Sequence, residues 1–244
     1  MKHVFLGFTL FLLLLKSNPG SAQQIDQPTP DVFPFQTISG EFLKIYERNN
    51  VVDSVYSRFY FNSTPFMYIE TKKPFYQIMI IKQKETLVYY PNRKLAYRLT
   101  SERPPLFPAI SYLIAFFHAE EGFSNLGLNL QQQDFRGDTL ITIWGSPDPK
   151  KKFGHYRLLQ VNDQTIEVTY TSPDTSIINV LRFNDFTQIS QVVLPQTIVS
   201  EQTSPKYYSI ETIRLSGLKI NLPIPPEYVN FQVPEDTKVV EKEW

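Results

Sequence analysis

Cysteine is absent from this chain, and the absence removes several functions at once. No disulfide can brace the fold, so stability must come from a buried core. No thiolate is there to act as nucleophile or metal ligand. Nor does a cysteine follow the N-terminal apolar run to carry a lipid anchor, so the chain is not expected to be a lipoprotein itself. Histidine is nearly as scarce, with three residues. His3 lies in the N-terminal segment, and neither His118 nor His155 belongs to a metal-ligand spacing, so no metal and no cofactor is expected. GxSxG elbows and glycine-rich phosphate loops are missing too. Asp134 and Asp138 flank a turn and read as turn residues, not as a catalytic carboxylate pair. No enzyme is expected.

Charge of one sign is also lacking, with 24 basic residues against 24 acidic ones. Such a chain has no net field to gather nucleic acid, and none is expected as a partner. The one compact cationic run is Lys150-Lys151-Lys152. It reads either as a solvated hairpin tip that discourages edge pairing or as a docking contact for an acidic partner or anionic headgroups.

Long hydrophobic runs are confined to Val4–Leu15, which follows Lys2 and precedes Gly20-Ser21-Ala22. A run of ~12 residues suits a signal-peptide core and falls short of the ~20 that span a bilayer. The expectation is a signal peptide over 1–22, cleaved near Ala22, with export to the periplasm. Residues 23–36 are polar and proline-bearing and predict a flexible leader. Residues 37–244 then form one domain, long enough to bury its own core.

Aromatics are what the chain has in excess. Nineteen Phe, fourteen Tyr and two Trp make up 14% of it, against nine Gly. Such residues favour pleated sheets and bury large areas. Alternation recurs along the sequence. In Ser54–Phe61, Val55, Phe59 and Phe61 share one face while Tyr56, Arg58 and Tyr60 share the other. Strands are predicted over Phe66–Thr71, Phe75–Lys82, Thr86–Tyr90 and Lys94–Leu99. They resume over Leu140–Trp144, Arg157–Val161, Thr165–Thr171, Ile177–Phe183, Gln188–Leu194, Thr197–Gln202 and Tyr207–Leu215, for a total of about eleven.

One segment has the helical period instead: Ile110, Leu113, Ile114 and Phe117, between Pro108 and Gly122. Tyr112 and Phe116 widen its apolar stripe. Either it packs as ordinary core or it closes an apolar concavity as a lid. Residues 123–136 are ambiguous. The proline-stiffened end, LPIPPEYVNFQVPEDTKVV, is placed across a sheet edge.

Several segments together resemble the outer-membrane lipoprotein carrier family of Gram-negative bacteria, LolA and its relatives. They are the glycine-bearing strand GEFLKIY, the basic-proline pair Lys73-Pro74 and the strand and turn Leu87-Val88-Tyr89-Tyr90-Pro91. Tyr228, Phe231 and Pro234 add a matching pattern near the C-terminus. The resemblance implies an unclosed, strongly curved antiparallel β-barrel with a helical lid over an apolar cavity. It also implies a binder or carrier of lipoproteins or other acylated molecules, a monomer that meets a membrane-bound donor or acceptor. Phe59, Phe61, Tyr68, Phe75, Met79, Leu113, Phe116 and Phe117 would line the cavity, which their side chains would leave unfilled. Lys73 stands where the family has an arginine that holds the lid, and lysine makes fewer and less directed hydrogen bonds. Two other readings stay open. One is a lipid-sensing regulatory protein that grips a membrane partner, and the other is a non-catalytic scaffold with an ordinary filled core.

Overall fold

Alternating apolar residues and short polar turns produce two antiparallel meanders. The first comprises β1 (Thr37–Arg48), β2 (Val51–Asn62), β3 (Phe66–Lys73), β4 (Gln77–Lys82), β5 (Glu85–Tyr90) and β6 (Leu95–Thr100). The second comprises β7 (Asn129–Arg136), β8 (Thr139–Gly145), β9 (His155–Val161), β10 (Gln164–Thr171), β11 (Ile178–Ile189), β12 (Val192–Ser204) and β13 (Tyr207–Ile220). Helix α1 (Pro108–Asn125) joins them, and a short α2 (Pro226–Val229) precedes β14 (Lys238–Glu243). The computed structural model describes residues 33–63, 66–101, 108–148 and 153–243. The expected signal segment, most of the expected leader and Lys150, Lys151 and Lys152 lie outside the described residues.

Pairing of β1 with β13 fuses the meanders into one 14-stranded sheet, and β14 runs parallel to β6 at its far edge. Twisted open sheets rarely exceed about ten strands without curling. Register shifts in the β1–β13, β2–β3, β7–β8 and β9–β10 pairings add local bends, as an unpaired residue does. The result is the unclosed, strongly curved β-barrel that the resemblance implies. At Gly40 the neighbouring strand comes too close for a side chain: a Cβ would stand 2.9 Å from both the Ser216 carbonyl oxygen and Leu218 Cδ2.

Topology dictates where α1 goes. The two strands that flank it in sequence, β6 and β7, lie far apart in the sheet, β7 at one edge and β6 next to the other. The connection therefore has to cross the inner face, and an apolar helix is the element that can do so with its backbone satisfied. Ala109, Ile110, Tyr112, Leu113, Phe116, Ala119 and Phe123 are buried. The expected stop at Gly122 falls one turn early. The helix kinks at His118 (φ −136°, ψ 34°) and continues, which lets Phe123 reach Trp144 and Tyr156, with ring centroids at 5.7 and 4.8 Å.

Fourteen strands replace the expected eleven. β7 and β14 carry mostly exposed residues, so no apolar face announces them. The break expected between residues 194 and 197 is absent, because buried Pro195 sits inside β12 and the turn falls at Ser190, with φ 56°.

Both faces of the first meander are covered. Phe42, Phe59, Phe61, Met67 and Ile69 join α1 and the second meander in the inner core. Tyr68, Ile78, Ile80, Leu87, Tyr89 and Ala96 form an outer cluster beneath Tyr228, Phe231 and Val233. That double burial explains the near-continuous apolar run of β4.

Candidate functional site

The space between the sheet and α1 is lined almost wholly by apolar side chains. Phe59 and Phe61 reach it from β2, and Leu181, Phe183, Leu194, Ile198 and Ile213 from the second meander. Leu113 and Phe116 descend from α1, with Met79 and Phe117 at the margin. Ring contacts tie the helix down: Phe116 lies 5.2 Å from Phe183 and 6.0 Å from Phe186.

The inner face also carries a polar contact to the helix. Tyr112 donates a 3.2 Å hydrogen bond to Glu211 of β13, and Glu211 is ion-paired with Lys44 of β1. Burial, and then the Glu211 carboxylate beside it, push the Tyr112 phenol well above its ordinary range. A buried hydroxyl needs such a partner, because leaving it unmade costs about 1–3 kcal/mol.

Six of the eight expected lining residues share this site, and two do not. Tyr68 faces the outer side, where its ring lies 4.8 Å from Tyr228 and 6.1 Å from Phe231. It follows inward Met67, and successive strand residues alternate faces. Phe75 falls in the turn before β4 and is 42% exposed, edged against Tyr90. Lys73 is exposed at the end of β3, and no described hydrogen bond or ion pair joins it to α1. A polar contact to the helix comes from Glu211, which accepts from Tyr112 and pairs with Lys44. Sequence reasoning missed Glu211 and Lys44 because lone charged residues in an alternating strand look like solvent-facing positions.

An unfilled cavity is not what the inner face presents. Two residues expected at the end of a flexible leader pack inside, while Pro34 and Gln36 stay exposed: Phe33 is 6% exposed and Phe35 4%. Their rings stack at 5.1 Å, and Phe33 meets Phe61 at 5.3 Å while Phe35 meets Phe117 at 6.1 Å. The period-two spacing of Phe33 and Phe35 was the available signal, masked by Pro34 between them. Beside this segment runs a groove of about 260 Å³, lined by Pro34, Phe116, Phe117, Thr165, Val192 and Val193 with Asp163, Gln164 and Gln191. A second hollow of about 370 Å³ lies on the outer face, over Ile80, Leu87, Phe231 and Val233, with Lys82, Glu85, Arg98 and Gln232 around it.

No family profile and no curated protein matches the sequence. Solved structures do match its shape. A LolA superfamily protein from Nitrosomonas europaea aligns over 80% of this chain and 91% of its own, with a TM-score of 0.53 at 15% identity. The fold is LolA-like. A DUF1329 family protein from Desulfovibrio piger shares it, over 82% of this chain and 92% of its own, with a TM-score of 0.53 at 13% identity. Within the LolA-like sheet, α1 takes the place of the helical lid.

Proposed function

We propose that this chain binds acylated molecules, either the acyl chains of a lipoprotein or another lipid, by opening the aromatic interior beneath α1. The observation that carries the reading is the apolar helix laid across the inner face of a half-barrel, with a groove beside Phe116 and Phe117. The apolar run Val4–Leu15 supports export, and so a periplasmic setting. Phe59, Phe61, Met79, Leu113, Phe116 and Phe117 would contact the chain.

A filled interior suits reversible holding. Each buried methylene contributes about 0.8 kcal/mol, so a chain of about sixteen carbons entering an open cavity would gain roughly 12 kcal/mol, a near-nanomolar hold. Displacing the protein's own rings and lifting the helix cost part of that gain, which brings the affinity into a range compatible with release.

The same filling favours a second reading, a non-catalytic interaction protein with an ordinary core. Extraction separates the two. The chain is produced with its N-terminal segment in a Gram-negative periplasm, purified, extracted with organic solvent and analysed by mass spectrometry. Acyl species near one per protein are expected. Lipid-free protein that also takes up no acyl probe would leave only the interaction reading.

A further inference from the structure

We propose that Phe33-Pro34-Phe35 occupies the acyl-chain site as a built-in substitute for ligand, and that an incoming acyl chain displaces it. The inference rests on the acyl-binding reading above and adds how the site is kept closed.

Attachment of the segment is one-sided among the described residues. Its anchor is Gln36-Thr37: Gln36 N–H donates to Asn221 Oδ1 at 2.8 Å, the Gln36 carbonyl accepts from Ser63 N–H at 2.9 Å, and Thr37 Oγ1 donates to the Leu222 carbonyl at 2.7 Å. Among the described residues, hydrogen bonds of this stretch begin at Gln36 and none involves residues 33–35. Pro34 has no N–H to give. Apolar packing of Phe33 and Phe35 is, among the described residues, what holds the segment, so it can swing out about Gln36 without breaking a sheet bond.

Position makes the same point. Pro34 forms part of the wall of the 260 Å³ groove, together with Phe116 and Phe117. Ligand pockets commonly measure about 300–1,000 Å³, so the groove alone is small for a lipid. Removing Phe33 and Phe35 would join it to the space bordered by Phe61 and Phe117. A chain entering there would replace one set of apolar contacts by another, and the affinity measured for the full protein is lowered by the fraction of time the segment stays in place.

A fluorescent N-palmitoyl peptide serves as the probe, titrated into the full chain and into the Phe33→Ala/Phe35→Ala variant, each checked for cooperative melting. The variant is expected to bind about tenfold tighter or more. Equal or weaker binding by a folded variant would overturn the displacement while leaving acyl binding intact. Binding to neither protein would sink the acyl reading and this inference together. Phe35→Trp gives a second readout if the double variant does not fold: its emission should shift to the red as probe binds, once the signal of the unsubstituted protein at the same probe concentration is subtracted. An emission unmoved at saturating bound probe would contradict displacement.

Discussion

Tyr112, on the buried face of α1, donates to Glu211, and Glu211 pairs with Lys44, so one carboxylate ties the helix to two central strands. Tyr112→Phe keeps the ring and leaves the Glu211–Lys44 pair. The loss should be about 1–2 kcal/mol, a few degrees in Tm. Glu211→Ala removes the bond to Tyr112 and also leaves Lys44 without its carboxylate, and should cost more, about 2–4 kcal/mol. Thermal melts of the two variants and their double mutant test this. Equal costs would mean that the carboxylate does not join helix and sheet.

Alkali should unfold the protein through its phenols. Burial is the main cause holding Tyr60 and Tyr156 up at about 12, against 10 for an exposed tyrosine, and it drives Tyr112 and Tyr68 up further. Raised folded pKa values mean that this contribution to stability is complete below pH 10 and is lost as pH climbs through 12. Tyrosinate absorbance and circular dichroism, followed together from pH 9 upward, should show late phenols ionising as the sheet melts. Free titration of every tyrosine near 10 with the fold intact would contradict the burial.

On the outer face, Tyr228 stacks on Tyr60 at 4.3 Å and Phe231 approaches Tyr89 at 6.0 Å. Phe231→Ala should cost about 2 kcal/mol, less than a fully buried phenylalanine because the position is only half-buried. Acyl-probe affinity should not change, since the tail covers the face opposite α1. A loss of binding that tracks the outer face would place the ligand in the wrong hollow.

Gly40→Ala should destabilise by about 1–3 kcal/mol, the usual cost of overpacking, because Ser216 O is backbone and cannot move aside. Chemical denaturation measures it. A neutral substitution would mean that β1 and β13 can separate there without loss.

Much of the fold was legible because its rules are local. Val55, Phe59 and Phe61 alternate with Tyr56, Arg58 and Tyr60, and the structure divides them between the two faces as that alternation requires. The helix period of Ile110, Leu113, Ile114 and Phe117 was likewise sufficient. Edge strands were not legible, because β7 buries no face against the core and NLQQQDFR shows no alternation. Tyr68 was misplaced for a non-local reason. Its outer face is apolar only because Tyr228 and Phe231, far along the chain, fold back over it. Phe33 and Phe35 lay hidden in a segment whose composition reads as linker, and only the topology of the inner face gives them somewhere to go.

Two hollows compete for a lipid, one under α1 and one beneath the C-terminal tail, and a photoreactive fatty acid distinguishes them. The full chain is irradiated with a diazirine-bearing acyl probe, digested, and the labelled residues are identified by mass spectrometry. Labels are expected on Phe61, Leu113, Phe116, Phe117 or Val192, around the inner face. Labels confined to Ile80, Leu87, Phe231 or Val233, or no specific labelling at all, would contradict acyl binding beneath the helix.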